Sequence, residues 1–247
     1  MLSIHLDETV GTLELTKIFI MLKFFSKYKP FAIFMLVLSA IIISLIYRAL
    51  KVDPKLPIYQ PDMVNKELVD TSVQYIRKFH KIGDFNLINQ NGDSITPANF
   101  EDKIYVADFF FTTCMNICIP MTENMRIVQD HFINDDEIML LSHTVTPEID
   151  DVPQLRKHAD KMGLVEGKWH MVTGDKKHIY DLARKHYLAS KTNGDGGPYD
   201  LVHTENFVLV DKEKRIRGTY DGTNDDEIEK LIKDIEILKL EYEESDL

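Results

Sequence analysis

Residues 103–118 read KIYVADFFFTTCMNIC. The first nine are continuous, apolar and rich in β-branched and aromatic side chains, the composition of a strand buried on both faces. The segment that follows the second cysteine, PMTENMRIVQDHF, repeats apolar side chains at Met121, Met125 and Val128, the spacing of one helix face. A buried strand therefore hands over to a helix. Cys114 and Cys118, the only two cysteines of the chain, fall at that handover.

Upstream, DFNLINQNGDSITPANF alternates apolar residues (Phe85, Leu87) before Asn91-Gly92, a hairpin signal that predicts two short strands. Downstream, a buried strand is expected at 138–141. In TVTPEIDDVPQLRKHADKMG, Asp150 and Pro153 open a helix that Gly163 closes. KWHMVTGD predicts a third strand and DKKHIYDLARKHY a third helix. HTENFVLVDKEKRIRGTYDG reads as two β runs joined by a polar turn near Lys212. NDDEIEKLIKDIEILKLEYEE reads as a last helix capped by Asn224, with acids in its first turn. Alternating strands and helices closed by a hairpin predict an α/β fold: a mostly parallel central sheet flanked by helices, with a C-terminal hairpin and helix.

The N-terminal part has a different character. FAIFMLVLSAIIISLIY, 31–47, carries no charge and continues to Leu50, giving 20 residues, and roughly 20 helical residues cross a hydrocarbon core of about 30 Å. Lys23, Lys27 and Lys29 precede it, and SLIYRALKVDP offers no small-residue cleavage site, so the reading is one uncleaved transmembrane anchor. The expected organisation is a cytosolic segment at 1–30, the anchor at 31–50, a proline-punctuated tether at 51–79 that turns helical near its end, and a domain at 80–247. MLKFFSKYKPFAIF, from Met21, itself reads as a natural beginning. With 29 Lys and Arg against 40 Asp and Glu, the formal charge of -11 opposes phosphate backbones and argues against a nucleic-acid partner. The acidic end, LEYEESDL, reads as a solvated tail.

Both cysteines sit near the exposed N–H groups of a helix start, where thiolate character is enhanced. Four residues apart on a helix, they lie one turn apart on one face, suited to a disulfide or to two bonds with one metal. The usual redox motif has two intervening residues, and the three in CMNIC favour a metal. Two thiolates and a neutral ligand suit Cu(I), and an imidazole keeps Cu(II) acceptable. A structural zinc site would want four protein ligands. Met115 and Met121 flank the pair as further soft donors, with packing the better reading of both. His80, His131, His143, His158, His170, His178 and His186 lack ligand spacing to the cysteines and are read as structural or exposed.

In order and spacing, DFNLINQNG, FFFTTCMNIC, VTPEID, KWHMVTGD and LVHTENFVLVDKEKRIRGTYDG resemble the Sco/SenC proteins of cytochrome oxidase assembly, from about His80 to the final helix. The resemblance implies a thioredoxin-like domain on one membrane anchor, with copper held by Cys114, Cys118 and His203. It implies copper delivery to the binuclear copper centre of a cytochrome c oxidase subunit, with other copper chaperones or thiol reductants as further partners. His203 follows a glycine-rich stretch, SKTNGDGGPYD, that gives its loop freedom. Relatives commonly place proline directly after each cysteine, where this chain has Met115 and Ile119, with Pro120 one residue late. Many also carry an acid before the histidine, where this chain has Val202 and, nearest, Asp200. The expected location is the bacterial inner membrane, single-pass, with the domain in the periplasm, rather than the mitochondrial inner membrane. The rival readings are a membrane-tethered thiol-disulfide oxidoreductase acting through the same pair, a peroxidase of related fold, and a copper or redox sensor.

Overall fold

The computed structural model describes residues 28–50, 55–114, 116–190, 197, 201–202 and 204–245, in two compact units, Met1–Pro54 and Lys55–Leu247. In the first unit, Lys29–Leu50 forms helix α1. Its 19-residue stretch Lys29–Tyr47 has a mean hydropathy of 2.5 and buries none of its side chains. A helix that is apolar on every face and, among the described residues, leaves those faces uncovered fits a membrane anchor or a signal segment.

The second unit is built on one seven-stranded sheet. Its strands are β1 (Leu87–Asn89), β2 (Ser94–Ile95), β3 (Ile104–Phe110), β4 (Ile138–Thr144), β5 (Trp169–Thr173), β6 (Asn206–Val210) and β7 (Ile216–Asp221). The order across the sheet is β2-β1-β5-β4-β3-β6-β7. The helices are α2 (Cys118–His131), α3 (Val152–Met162), α4 (Lys176–Asp181) and α5 (Asp225–Ser245). This is the thioredoxin-like α/β arrangement that the resemblance implies.

β3 is buried along its whole length because both faces of the sheet are covered. Tyr105, Ala107 and Phe109 enter one core with Phe85, Phe100, Tyr180 and Tyr187. Ile104, Val106 and Phe110 enter the other with Met121, Met125, Val128, Trp169 and Ile235. Alternation along the strand thus divides one apolar run between two cores. Met121 is fully buried there, as the packing reading expects.

The structure departs from the sequence reading at several places. The sheet is mixed: β3, β4 and β5 run parallel, while β1 and β6 join them antiparallel and carry the two hairpins outward. Strand β4 continues to Thr144, because its polar end is buried beside β3. Asp151, not Asp150, caps α3 by accepting from the Gln154 N–H, and Gly163 (φ +73°) closes it. Helix α4 is only six residues long and passes into a π turn at Leu182–His186. No α-helix forms within 55–79. Two 3-10 turns, Pro61–Met63 and Lys66–Leu68, the second capped by Asn65, and a turn at 71–75 take its place.

Residues from Lys55 onward lie on the domain. The Tyr59 N–H donates to Ile216 O at 2.9 Å, and Arg217 Nη2 donates to Leu56 O at 2.8 Å. Val69 is fully buried. The Asn91-Gly92 hairpin forms as read, with Gly92 at φ +87°. Asn224 accepts the Asp226 N–H at 2.9 Å, as its capping reading expects.

Candidate metal centre

The polypeptide leaves β3 at Phe110, whose carbonyl accepts the Val145 N–H at 2.8 Å, and the next residues are held by one buried carboxylate. Asp150 is fully buried. It accepts from the Thr112 N–H (3.2 Å) and from the hydroxyls of Thr112 (2.5 Å), Thr144 (2.5 Å) and Thr146 (3.0 Å). Gln154 Nε2 donates to Thr112 Oγ1 at 2.9 Å, tying α3 to the same point. The strand end before Cys114 is therefore fixed from three elements. The residue read as a helix cap instead organises the approach to the cysteines.

Cys114 is partly exposed and Cys118 is buried, and both are free thiols. The Cys114 N–H donates to Phe111 O at 3.2 Å, which folds the loop back. The Cys118 N–H then donates to Cys114 Sγ at 3.4 Å. Helix α2 begins at Cys118 with no oxygen-bearing side-chain cap, so Cys114 Sγ occupies the place that a serine or aspartate oxygen takes at other helix starts.

That geometry separates the two sulfurs chemically. Burial by itself would raise the Cys114 pKa. The hydrogen bond from the Cys118 thiol and the N–H groups of Asn116, Cys118 and Ile117 outweigh it, so Cys114 is held below the ordinary thiol value. Burial, donation of its proton to Cys114, and the nearby charges of Cys114 and Asp108 push Cys118 up. Cys114 is the sulfur that gives up its proton more readily, and Cys118 the one that holds it.

Asp108 lies at the centre of β3, six residues before Cys114, with burial pushing its carboxyl up to about 7. Trp169 Nε1 donates to Ser142 Oγ at 2.8 Å, and the Ser142 hydroxyl in turn supports Asp108. The carboxyl's Oδ1 has no partner among the described residues. Sequence reading placed neither Asp108 nor Asp150 at the site. A charged residue inside an otherwise apolar strand run is the signal that could have found the first.

His203, Met115 and Asp200 lie outside the described residues. The neighbours of His203 are buried, Val202 at 2% exposure and Thr204 at 5%. Thr204 Oγ1 accepts the Asn206 N–H at 3.1 Å, where β6 begins. Because β6 pairs antiparallel with β3, its first residues run toward the end of β3 from which the Cys114 loop departs. Asn124, on α2, donates to Gly222 O at 2.9 Å and ties the cysteine helix to the end of the β6–β7 hairpin.

Among the described residues, no three His, Cys, Asp or Glu side chains converge as a metal site. Burial lowers the pKa of His80, His143, His158, His170 and His186, and His131 contacts Glu236 at 3.3 Å. Two soft sulfurs at a helix start, one of them held below the ordinary thiol value, are a donor set suited to Cu(I) rather than to a hard cation.

A family model described as SCO1/SenC matches residues 73–239. The SCO1 protein homolog of Bacillus subtilis (strain 168) is 27% identical over 158 residues, covering 63% of this chain and 81% of that protein. The solved structure of BsSco, described as a member of the Sco family of cytochrome c oxidase assembly proteins with a disulfide switch, superposes with a TM-score of 0.53. It is 28% identical and covers 63% of this chain and 92% of its own. Yeast Sco1, solved with copper bound, shares the fold at a TM-score of 0.50 and 19% identity, over 64% of this chain and 90% of its own.

Proposed function

The chain belongs to the SCO1/SenC family, and from that premise we propose that it is a membrane-anchored copper chaperone for cytochrome c oxidase assembly, binding copper through Cys114, Cys118 and His203. The single observation that carries the reading is the pairing of Cys114 and Cys118 at the start of α2, with the partly exposed Cys114 sulfur held below the ordinary thiol value. Copper is the cargo. Cu(I) bound by both sulfurs displaces the proton that Cys118 holds, so uptake releases protons and weakens in acid. The His203 imidazole is the third donor, on a loop next to glycine-rich sequence, and a three-coordinate ion stays open to attack. Transfer then follows by ligand exchange, with thiolate and imidazole donors of the oxidase copper-centre subunit replacing these one at a time. Helix α1 is the anchor, residues 1–30 face the cytoplasm, and the domain works on the periplasmic side of a bacterial inner membrane.

The test is anaerobic Cu(I) titration of the reduced full chain in detergent, with Cys114→Ser and His203→Ala variants. The expected outcome is one tightly bound copper per chain, lost in the cysteine variant. In the histidine variant it is weakened at least about tenfold, or ~1.4 kcal/mol. Copper uptake indifferent to both substitutions overturns the site.

The asymmetry of the two sulfurs favours a second reading, dithiol reduction of a partner. Cys114 thiolate attacks one sulfur of the partner's disulfide, and the other sulfur leaves as a thiolate. Cys118 then gives up its proton and attacks Cys114 Sγ, releasing the reduced partner and leaving Cys114–Cys118 oxidised. This chemistry makes no use of His203. Full reductase activity in a His203→Ala chain that no longer retains copper assigns the two functions separately.

A further inference from the structure

Apolar side chains that face solvent on this domain are mostly scattered, but two aromatic ones stand together in sequence with cations. Phe79 is 90% exposed and Tyr75 is 76% exposed. Arg77, Lys78 and Lys81, all exposed, alternate with them in YIRKFHK. Phe79 also sits at φ +65°, a conformation in which a bulky side chain meets its own backbone. The strain gains the fold no burial for that ring. His80 is turned inward instead, its N–H donating to Gln60 Oε1 at 3.0 Å and its Nε2 lying 2.8 Å from His186 O. Strained backbone thus holds an aromatic ring out in solvent.

The same cavity that Phe79, Arg77, Lys78 and Lys81 line is also lined by Ile58, itself 38% exposed, and by Arg215 and Glu213, and Arg77 lies 3.8 Å from Asp62, so cations outnumber acids on this face. Ile58 lies eight residues after Leu50, the end of α1, and eight residues reach at most about 28 Å. A connection of that length leaves this face within covalent reach of a bilayer that α1 would cross. Elsewhere the chain is acidic, at -11 overall, so an anionic surface would repel the domain and favour contact through this face.

We propose that Ile58, Tyr75, Arg77, Lys78, Phe79 and Lys81 form a lipid-contact face, with Phe79 and Tyr75 entering the headgroup layer and the cations resting on anionic phospholipid. Aromatic rings beside lysine and arginine stems match the interface, where one end of each side chain is apolar and the other wet. Contact through this face limits the orientations that the domain takes about its short connection and turns its other faces toward the aqueous side. The inference rests on α1 being the anchor.

The experiment reconstitutes the full chain in phosphatidylcholine vesicles with and without admixed phosphatidylglycerol, using brominated acyl chains that quench nearby tryptophan. Trp169, the only native tryptophan, is buried at 1% exposure and supplies the background. Phe79→Trp reports on the face, and Ile127→Trp, on an exposed position of α2, is the comparison. Flotation first establishes anchoring. The expected result is that the emission added at position 79 is largely lost in brominated anionic vesicles. It is retained at position 127, and restored at 79 by high salt or by Arg77→Glu/Lys78→Glu/Lys81→Glu. A floating chain whose added tryptophan at 79 is unquenched, as it would be where a protein covers that face, overturns the inference alone. Equal quenching at 79 and 127 overturns it as well. A chain that does not float overturns the anchor and the inference together.

Discussion

Asp150 accepts four hydrogen bonds in a fully buried position, and all four donors belong to residues at or just past the ends of β3 and β4. Removing the carboxylate leaves an N–H and several hydroxyls without an acceptor. Each orphaned buried donor costs about 1 kcal/mol or more. Asp150→Ala is therefore expected to lower stability by about 2–4 kcal/mol, read from urea midpoints. Asp150→Asn, which keeps one oxygen, is expected to lose less. A change in the alanine variant below about 0.5 kcal/mol, ordinary for a surface site, would refute the bracing role. The cysteines were legible in the sequence because two thiols spaced one helical turn apart at a strand end are seldom there for packing alone. Asp150 was not, because TPEIDDVP offers two adjacent acids and capping rules cannot say which one turns inward. Only burial behind Thr144 and Thr146 distinguishes it from Asp151.

At the scale of elements, the cysteine chemistry depends on where α2 begins. The helix starts on Cys118 itself, so its first N–H, with those of Asn116 and Ile117 just before it, converges on the sulfur one turn earlier. Alternation and spacing made strand, loop and helix legible here. The exact first turn was not, because CMNICIP contains no conventional cap and a thiol fills that place. The expected consequence is a fixed order of reaction. In the reduced chain at neutral pH, Cys114 is alkylated at least about tenfold faster than Cys118, and its rate rises through a midpoint below the ordinary thiol value. Quenched iodoacetamide labelling with peptide mapping measures both. Equal rates, or Cys118 reacting first, would refute the assignment of Cys114 as the more acidic thiol. The mixed sheet belongs to the same scale: periodicity identified each strand, but pairing direction depends on the connections, and the two hairpins set the outer strands antiparallel.

Over the whole molecule, several histidines are folded into apolar surroundings, and this couples stability to pH. Burial, the largest cause, pushes His143 down to about 4, against an ordinary 6.5. Its ring stacks on Phe109 at 4.8 Å and meets Tyr187 edge-on at 5.2 Å, while Nε2 has no partner among the described residues. Above pH 6.5 neither folded nor unfolded chain protonates this ring, and its contribution is fully present. As pH falls below 6.5 the unfolded chain takes up the proton first, so stability is lost until the folded ring titrates near 4. The loss amounts to about 1.4 kcal/mol per pH unit, or ~3 kcal/mol across that window at most. His80, His158, His170 and His186 act in the same direction. Asp108 acts in the opposite one: with its folded pKa raised to about 7, its contribution is greatest in acid and is lost as pH rises from 3.8 to 7. Because the two slopes oppose each other in the wild-type curve, the informative quantity is a difference between chains. His143→Phe keeps the aromatic stacking and removes the titration. Its stability relative to wild type is therefore expected to improve by about 2–3 kcal/mol between pH 7.5 and pH 4.5, in paired urea denaturations. A relative stability that stays constant over that range would mean the ring reaches water and protonates in the folded chain, and the aromatic core around it would then have to open on the timescale of the titration.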